Sequence, residues 1–132
     1  MSLDRRTILA VTAVLVTLMG ALPACAGEEV PWNAKAFQAA QDAGRPVIVH
    51  VVASWCPTCK AQKPIVSELM QRPAFKDLTI FDVDFDAQKD IVRSFDARMQ
   101  STFVVFKGKT ETARSVGETR REAIEALMAK AL

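Results

Sequence analysis

The stretch Pro46-Val47-Ile48-Val49-His50-Val51-Val52-Ala53-Ser54-Trp55-Cys56-Pro57-Thr58-Cys59-Lys60 decides the fold. Its first half is an apolar, β-branched run of strand length, the pattern of a strand buried on both faces. Its second half starts a helix. Proline suits the first helical position, where its missing N–H costs nothing, so Pro57 places Cys56 at the N-cap and Cys59 inside the first turn. Ile65, Val66, Leu69 and Met70 then recur at helical spacing. A cysteine at a helix start feels unpaired backbone N–H groups and the positive end of the dipole, and both favour the reactive thiolate. Two residues apart, the cysteines can reach each other across one turn. Cys56 is expected to be the exposed, attacking thiol and Cys59 the more shielded thiol that resolves a mixed disulfide. The strand-to-helix setting reads as a redox pair. Half a zinc site and an inert structural disulfide are the other readings. Zinc needs about four ligands, and only Cys25 and His50 remain as further soft donors.

On either side of this junction the pattern alternates helix and strand. Asn33 can cap a helix running to about Asp42, which Gly44-Arg45-Pro46 breaks. The active-site helix is expected from Pro57 to about Gln71, kinked at Pro64 and ended by Arg72-Pro73. Leu78 to Phe85 alternates, with Phe81, Val83 and Phe85 on one face and Ile80, Asp82 and Asp84 on the other. A short helix over Ala87–Phe95, a strand over Thr102–Phe106, a turn at Lys107-Gly108-Lys109, a strand over Thr110–Val116 and a helix from about Glu118 complete the chain. The order implies one α/β domain, a mixed sheet with helices on both faces.

Residues 1–26 read as an export signal, and residues 27–132 as the folded domain. Arg5 and Arg6 form the charged start, Ile8 to Met19 the apolar stretch, and Ala24-Cys25-Ala26 a small-x-small cleavage site. Asp4-Arg5-Arg6-Thr7-Ile8-Leu9 resembles a loose twin-arginine signal, and Leu22-Pro23-Ala24-Cys25 a lipoprotein box. Membrane attachment is expected only if the signal is uncleaved or Cys25 is lipidated. Export implies a bacterial periplasm, where disulfides persist. Two cysteines in an otherwise cysteine-free domain form a working pair and not a scaffold. The whole chain has 17 basic and 15 acidic side chains. Removing Arg5, Arg6 and Asp4 leaves 15 against 14, which gives no reason to expect a nucleic-acid partner.

Trp55-Cys56-x-x-Cys59-Lys60 after a buried strand resembles the thioredoxin family, over nearly all of the chain beyond about residue 30. Pro64, five residues after Cys59, matches that family's helix-kinking proline, and Val116-Gly117 matches the Val-Gly that ends its last strand. The Cys-Pro-Thr-Cys motif also resembles some thioredoxin-like reductants of bacterial cytochrome c maturation, without room for their central insertion. The family's first strand has no clear counterpart before Asn33. The resemblance implies a thioredoxin-like fold and a thiol–disulfide oxidoreductase. Its redox-active disulfide is Cys56–Cys59, Trp55, Pro57 and Thr102 support the site, and no metal or other cofactor is needed. Protein dithiols and disulfides are the implied substrates, a membrane thiol reductase the implied electron donor, and a monomer the implied state. Reduction is favoured over strong oxidation, because Pro57-Thr58 adds no charge beside the thiolate. A client-binding module with a structural disulfide, or a zinc or copper binder using both cysteines and a ligand near Ser101, are the rival functions.

Three positions depart from the family. Its buried acid, six residues before the first active-site cysteine, is here His50, the only histidine. Its neighbouring base falls on Asp82, so the acid–base pair has exchanged strands. His50 is then expected to take or return the Cys59 proton, with Asp82 making the buried ring less costly. The cis-proline before Thr is here Ser101. A trans Gln100–Ser101 bond is expected, because cis costs about 2.5–4 kcal/mol without proline. The Ser101 hydroxyl is expected to touch a cysteine sulfur.

Overall fold

The computed structural model describes residues 26–132. The signal segment and Cys25 lie outside the described residues, apart from Ala26. Nine elements follow in order: β1 (Glu28–Pro31), α1 (Ala34–Asp42), β2 (Pro46–Val52), α2 (Pro57–Met70), β3 (Thr79–Asp84), α3 (Lys89–Ser94), β4 (Thr102–Lys107), β5 (Thr110–Val116) and α4 (Arg121–Ala129), with a single 3₁₀ turn at Pro73–Phe75. The sheet order is β1-β3-β2-β4-β5. β1 and β2 run parallel to β3, whereas β4 is antiparallel to β2 and to β5.

β2 lies at the centre because its side chains are apolar on both faces. Ile48 joins Val66, Leu69, Ile80, Phe103, Ile124 and Met128 in the core under α2 and α4. Val47, Val49 and Val51 join Ala40, Phe81, Val83, Val92 and Val104 in the core under α1 and α3. Truncating one such buried aliphatic to alanine costs about 2–5 kcal/mol, so β2 carries stability as well as the site.

Three elements differ from those read in the sequence. The first strand does exist: β1 pairs along β3 from Glu28↔Thr79 to Pro31↔Asp82. Four residues at the sheet edge, with two glutamates and a closing proline, carry no alternating pattern, and an edge strand tolerates that proline. α3 begins at Lys89 because the Asp84 carboxylate takes the N–H groups of Asp86 and Ala87 in a turn. α4 begins at Arg121 for the same kind of reason: Glu118 accepts from the N–H groups of Thr119 and Arg120. α2 runs from Pro57 through Pro64 to Met70, within one residue of the end expected from the sequence.

Candidate active site

Cys56 is the N-cap of α2, and Pro57 occupies the first turn. The Cys56 sulfur accepts the N–H of Cys59 at 3.1 Å, taking the place of a capping oxygen. This uses one of the N–H groups that a helix start leaves free. Both cysteines are free. Cys56 is 1% exposed and Cys59 2%. The expected contrast between an exposed and a shielded thiol is therefore corrected. The surrounding loops cover both sulfurs, and they differ in electrostatics.

That difference is in opposite directions. Burial opposes ionisation of Cys56, but hydrogen bonds from Cys59, from the Ser101 hydroxyl and from the N–H groups of Cys59 and Thr58 hold its thiol below the ordinary value. Burial pushes the Cys59 thiol up, and the neighbouring Cys56 adds to the rise against partial relief from Ser101 and the Ala53 backbone. At intermediate pH Cys56 is the nucleophile and Cys59 holds a proton.

Ser101 stands against the pair. Its hydroxyl lies 3.1 Å from each sulfur. The Gln100–Ser101 peptide is trans, with φ of Ser101 at +61°. Both backbone groups of Ser101 are occupied: its N–H donates to Val51 O at 2.8 Å, and its carbonyl accepts from Gly117 N at 2.9 Å and Gln62 Nε2 at 3.3 Å. Gly117 makes its bond at φ +71°, a conformation glycine adopts without strain. Thr102 closes the same loop through Oγ1 to Met99 O at 2.6 Å. Trp55 lies on the rim, 54% exposed, with Nε1–H donating to Asp86 at 2.6 Å.

His50 is fully buried on β2, stacked on Phe103 with ring centroids 4.1 Å apart. Sheet register sets it opposite Asp82. Its Nε2 meets Gln62 Oε1 at 2.9 Å. Gln62 donates from Nε2 to the carbonyls of Ser101 and Glu118, so its oxygen must face the histidine. An amide oxygen only accepts, which fixes the His50 proton on Nε2. Nδ1 faces Asp82 Oδ1 at 3.6 Å, within ion-pair reach but too far for a hydrogen bond, and neither atom has another partner. Neither ring nitrogen is hydrogen-bonded to a sulfur; Gln62 and Ser101 stand between.

Asp82 also contacts Lys63, which reaches Glu29 as well. Burial works against the Asp82 carboxylate, but the His50 ring and the Lys63 ammonium outweigh it and hold its carboxyl below the ordinary value. Glu29, His50 and Asp82 bring three potential ligand atoms within 4.8 Å of one another. The Lys63 ammonium already supplies the positive charge among the carboxylates. A cleft of about 310 Å³ opens on this side, lined by Cys59, Lys63, Val52, Ala53, Lys60 and Asp84 among others. A larger cleft of about 520 Å³ lies between α1 and β1, and neither cysteine lines it.

Gln62 escapes a sequence reading that looks for chemistry-bearing residue types. Its spacing was the available signal: Cys59, Gln62, Val66 and Leu69 form the buried stripe of α2, and Gln62 is the polar member. Lys63 and Glu29 gave no such signal, because a lysine on a helix and a glutamate near an edge strand usually face water.

Comparison with known proteins agrees with this geometry. The Thioredoxin family model matches residues 29–130. A thioredoxin H-type of Brassica campestris is 34% identical over 122 residues, covering 92% of this chain and 94% of that protein. A thioredoxin H-type of Fagopyrum esculentum is 36% identical over 93 residues, covering 70% and 78%. The crystal structure of Trxlp from Edwardsiella tarda EIB202 aligns with a TM-score of 0.74 at 39% identity, covering 76% of this chain and 97% of that one. A redox-tuned CxxC at the head of a helix, on this sheet, defines a thiol–disulfide oxidoreductase. The chain belongs to the thioredoxin family, and its substrates are protein disulfides.

Proposed function

We propose that the chain is an exported reductant of protein disulfides, acting in a bacterial periplasm as a monomer. The opposite shifts of the two buried thiols, with Ser101 in contact with both sulfurs, support the thiol–disulfide exchange in this reading, Cys56 attacking and Cys59 resolving. The Cys56 thiolate attacks a client disulfide, forming a Cys56–client bond and releasing one client thiol. Cys59 loses its proton, attacks Cys56 and releases the second client thiol, leaving Cys56–Cys59 oxidised. His50, with Asp82, receives the Cys59 proton across the cleft that Cys59 and Lys63 share, through intervening water and not by direct contact. Nδ1 is the position that takes it, since Nε2 is committed to Gln62. Electrons return from another dithiol protein, for which export makes a membrane thiol reductase the fitting donor. Residues 1–26 deliver the domain as a cleaved signal, or tether it if uncleaved or lipidated at Cys25.

An insulin-reduction assay tests the reading, with turnover abolished by Cys56→Ser. Equilibration with glutathione tests direction: a potential near about −270 mV supports a reductant, whereas about −120 mV would make it an oxidant. The burial of Cys56 favours a second reading, a fold retained to hold clients. Absence of insulin reduction by the wild type would support it.

A further inference from the structure

Ser101 has a hydroxyl in a position that neither its backbone role nor the fold requires. It is buried, in a left-handed conformation that is strained for a non-glycine residue. Val51, Gly117 and Gln62 bind its peptide groups and hold that conformation in place. A glycine would satisfy the same backbone without strain. The serine adds only an oxygen, and that oxygen lies 3.1 Å from Cys56 Sγ and 3.1 Å from Cys59 Sγ. A hydroxyl carries one proton and can turn it towards either neighbour. Its donation to an ionised sulfur is a charge-assisted bond, about twice as strong as a neutral one.

We propose that the Ser101 hydroxyl is a catalytic donor that serves the two thiolates in turn, turning from Cys56 to Cys59 as negative charge moves between them. In the reduced enzyme it donates to the Cys56 thiolate, as the Cys59 thiol also does. When Cys56 bonds to a client sulfur, its charge leaves with the departing client thiolate, which takes a proton from solvent. The hydroxyl is then free to turn to Cys59. Cys59 loses its proton to the base, and Ser101 donates to the resulting thiolate until it attacks Cys56 and expels the second client thiolate. The Ser101 proton never leaves its oxygen, and the two electrons end on the client. This is the logic of an oxyanion donor applied to sulfur: a fixed dipole at each place where charge develops. The inference rests on the oxidoreductase reading above and names a further residue of that reaction.

Ser101→Gly is the informative variant, because it keeps the positive-φ backbone and removes only the hydroxyl; Ser101→Ala is the companion. Thiolate absorbance reports the Cys56 titration in a Cys59→Ala background. Stopped-flow with 5,5′-dithiobis(2-nitrobenzoate) reads both chemical steps, as two successive releases of nitrothiobenzoate. Loss of a hydrogen bond to a charged group predicts an upward shift of about one pH unit in the Cys56 titration and both releases slowed about tenfold near pH 6. The deficit should close at high pH, where both thiolates form unaided. A backbone disturbance would lower the rates at every pH. Wild-type titration and release rates in Ser101→Gly would overturn the proposal, as would a deficit independent of pH. Insulin reduction by the wild type stands or falls separately, so failure of the Ser101 role is distinguishable from failure of the oxidoreductase reading.

Discussion

Two buried polar clusters meet at Gln62, and they are built in opposite ways. Around the cysteines each polar group has a partner: the Cys56 sulfur has the Cys59 N–H, and Ser101 has both sulfurs and three backbone bonds. Behind them, His50 Nδ1 and Asp82 Oδ1 are the buried side-chain nitrogen and oxygen atoms left without hydrogen bonds among the described residues. The first arrangement stabilises charge on sulfur. The second leaves a proton site open, since protonation of Nδ1 turns the unpartnered contact into an ion pair. A site that must both ionise a thiol and dispose of its proton needs both.

The largest effects belong to the sulfur cluster. Cys56→Ser should lower insulin reduction by roughly 10³-fold or more, since a serine hydroxyl remains protonated where a thiol ionises. Cys59→Ala should still attack and accumulate a covalent client adduct on Cys56, visible by mass spectrometry under non-reducing conditions. An adduct found on Cys59 in the converse variant, with none on Cys56, would exchange their roles.

The proton cluster comes next. His50→Ala should slow resolution of the mixed disulfide by roughly 10²-fold while changing its formation less, with Asp82→Asn producing a smaller loss of the same kind. Single-turnover kinetics with a disulfide peptide separates the steps. An unchanged resolution rate across pH 6–8 would leave His50 as a core residue packed on Phe103, and the comparison would reduce to one working cluster.

Gln62 tests whether the clusters depend on each other. Gln62→Leu keeps the volume but leaves the Glu118 carbonyl and the His50 N–H without their partner, and leaves the Ser101 carbonyl with the Gly117 N–H alone. Buried unsatisfied groups cost about 1–3 kcal/mol each, with relaxation recovering part, so a loss of about 2–3 kcal/mol in urea unfolding is expected. Ser101 should also lose its fixed approach to the sulfurs. Unchanged stability would show that water replaces the amide.

The sequence made the dithiol cluster legible and the link between clusters illegible, for physical reasons. A run such as Val47–Val52 ahead of Cys-Pro-Thr-Cys has few alternatives to a buried strand feeding a helix, because hydrophobic periodicity and proline geometry act locally. The facing of His50 and Asp82 followed only once a known fold supplied the strand register. Gln62 depends on where a helix face meets a loop some forty residues away, which no local rule encodes. β1 was lost because an edge strand of four residues draws its stability from β3 and not from its own pattern.

The smallest expected effect is on stability in acid. The Asp82 carboxyl lies below its ordinary value of 3.8 in the folded protein, burial opposing and His50 and Lys63 prevailing. The folded state therefore binds fewer protons at this group than the unfolded state does between the two values. Stability from Asp82 is fully present above the unfolded value and is lost as pH falls through the lower, folded one. Glu118, held at about 2 by Arg120, and Glu111, held down by Arg114, slope the same way, so the readout is the difference between variant and wild type. Asp82→Asn should lessen the fall in unfolding free energy between about pH 5 and pH 3, by no more than about 1 kcal/mol because the Lys63 partner is partly in water. Urea titrations of both proteins at those two pH values give the number. Equal slopes would mean that Asp82 titrates alike in folded and unfolded chains, and that the contrast between a charge-holding cluster and a proton-holding one rests on His50 alone.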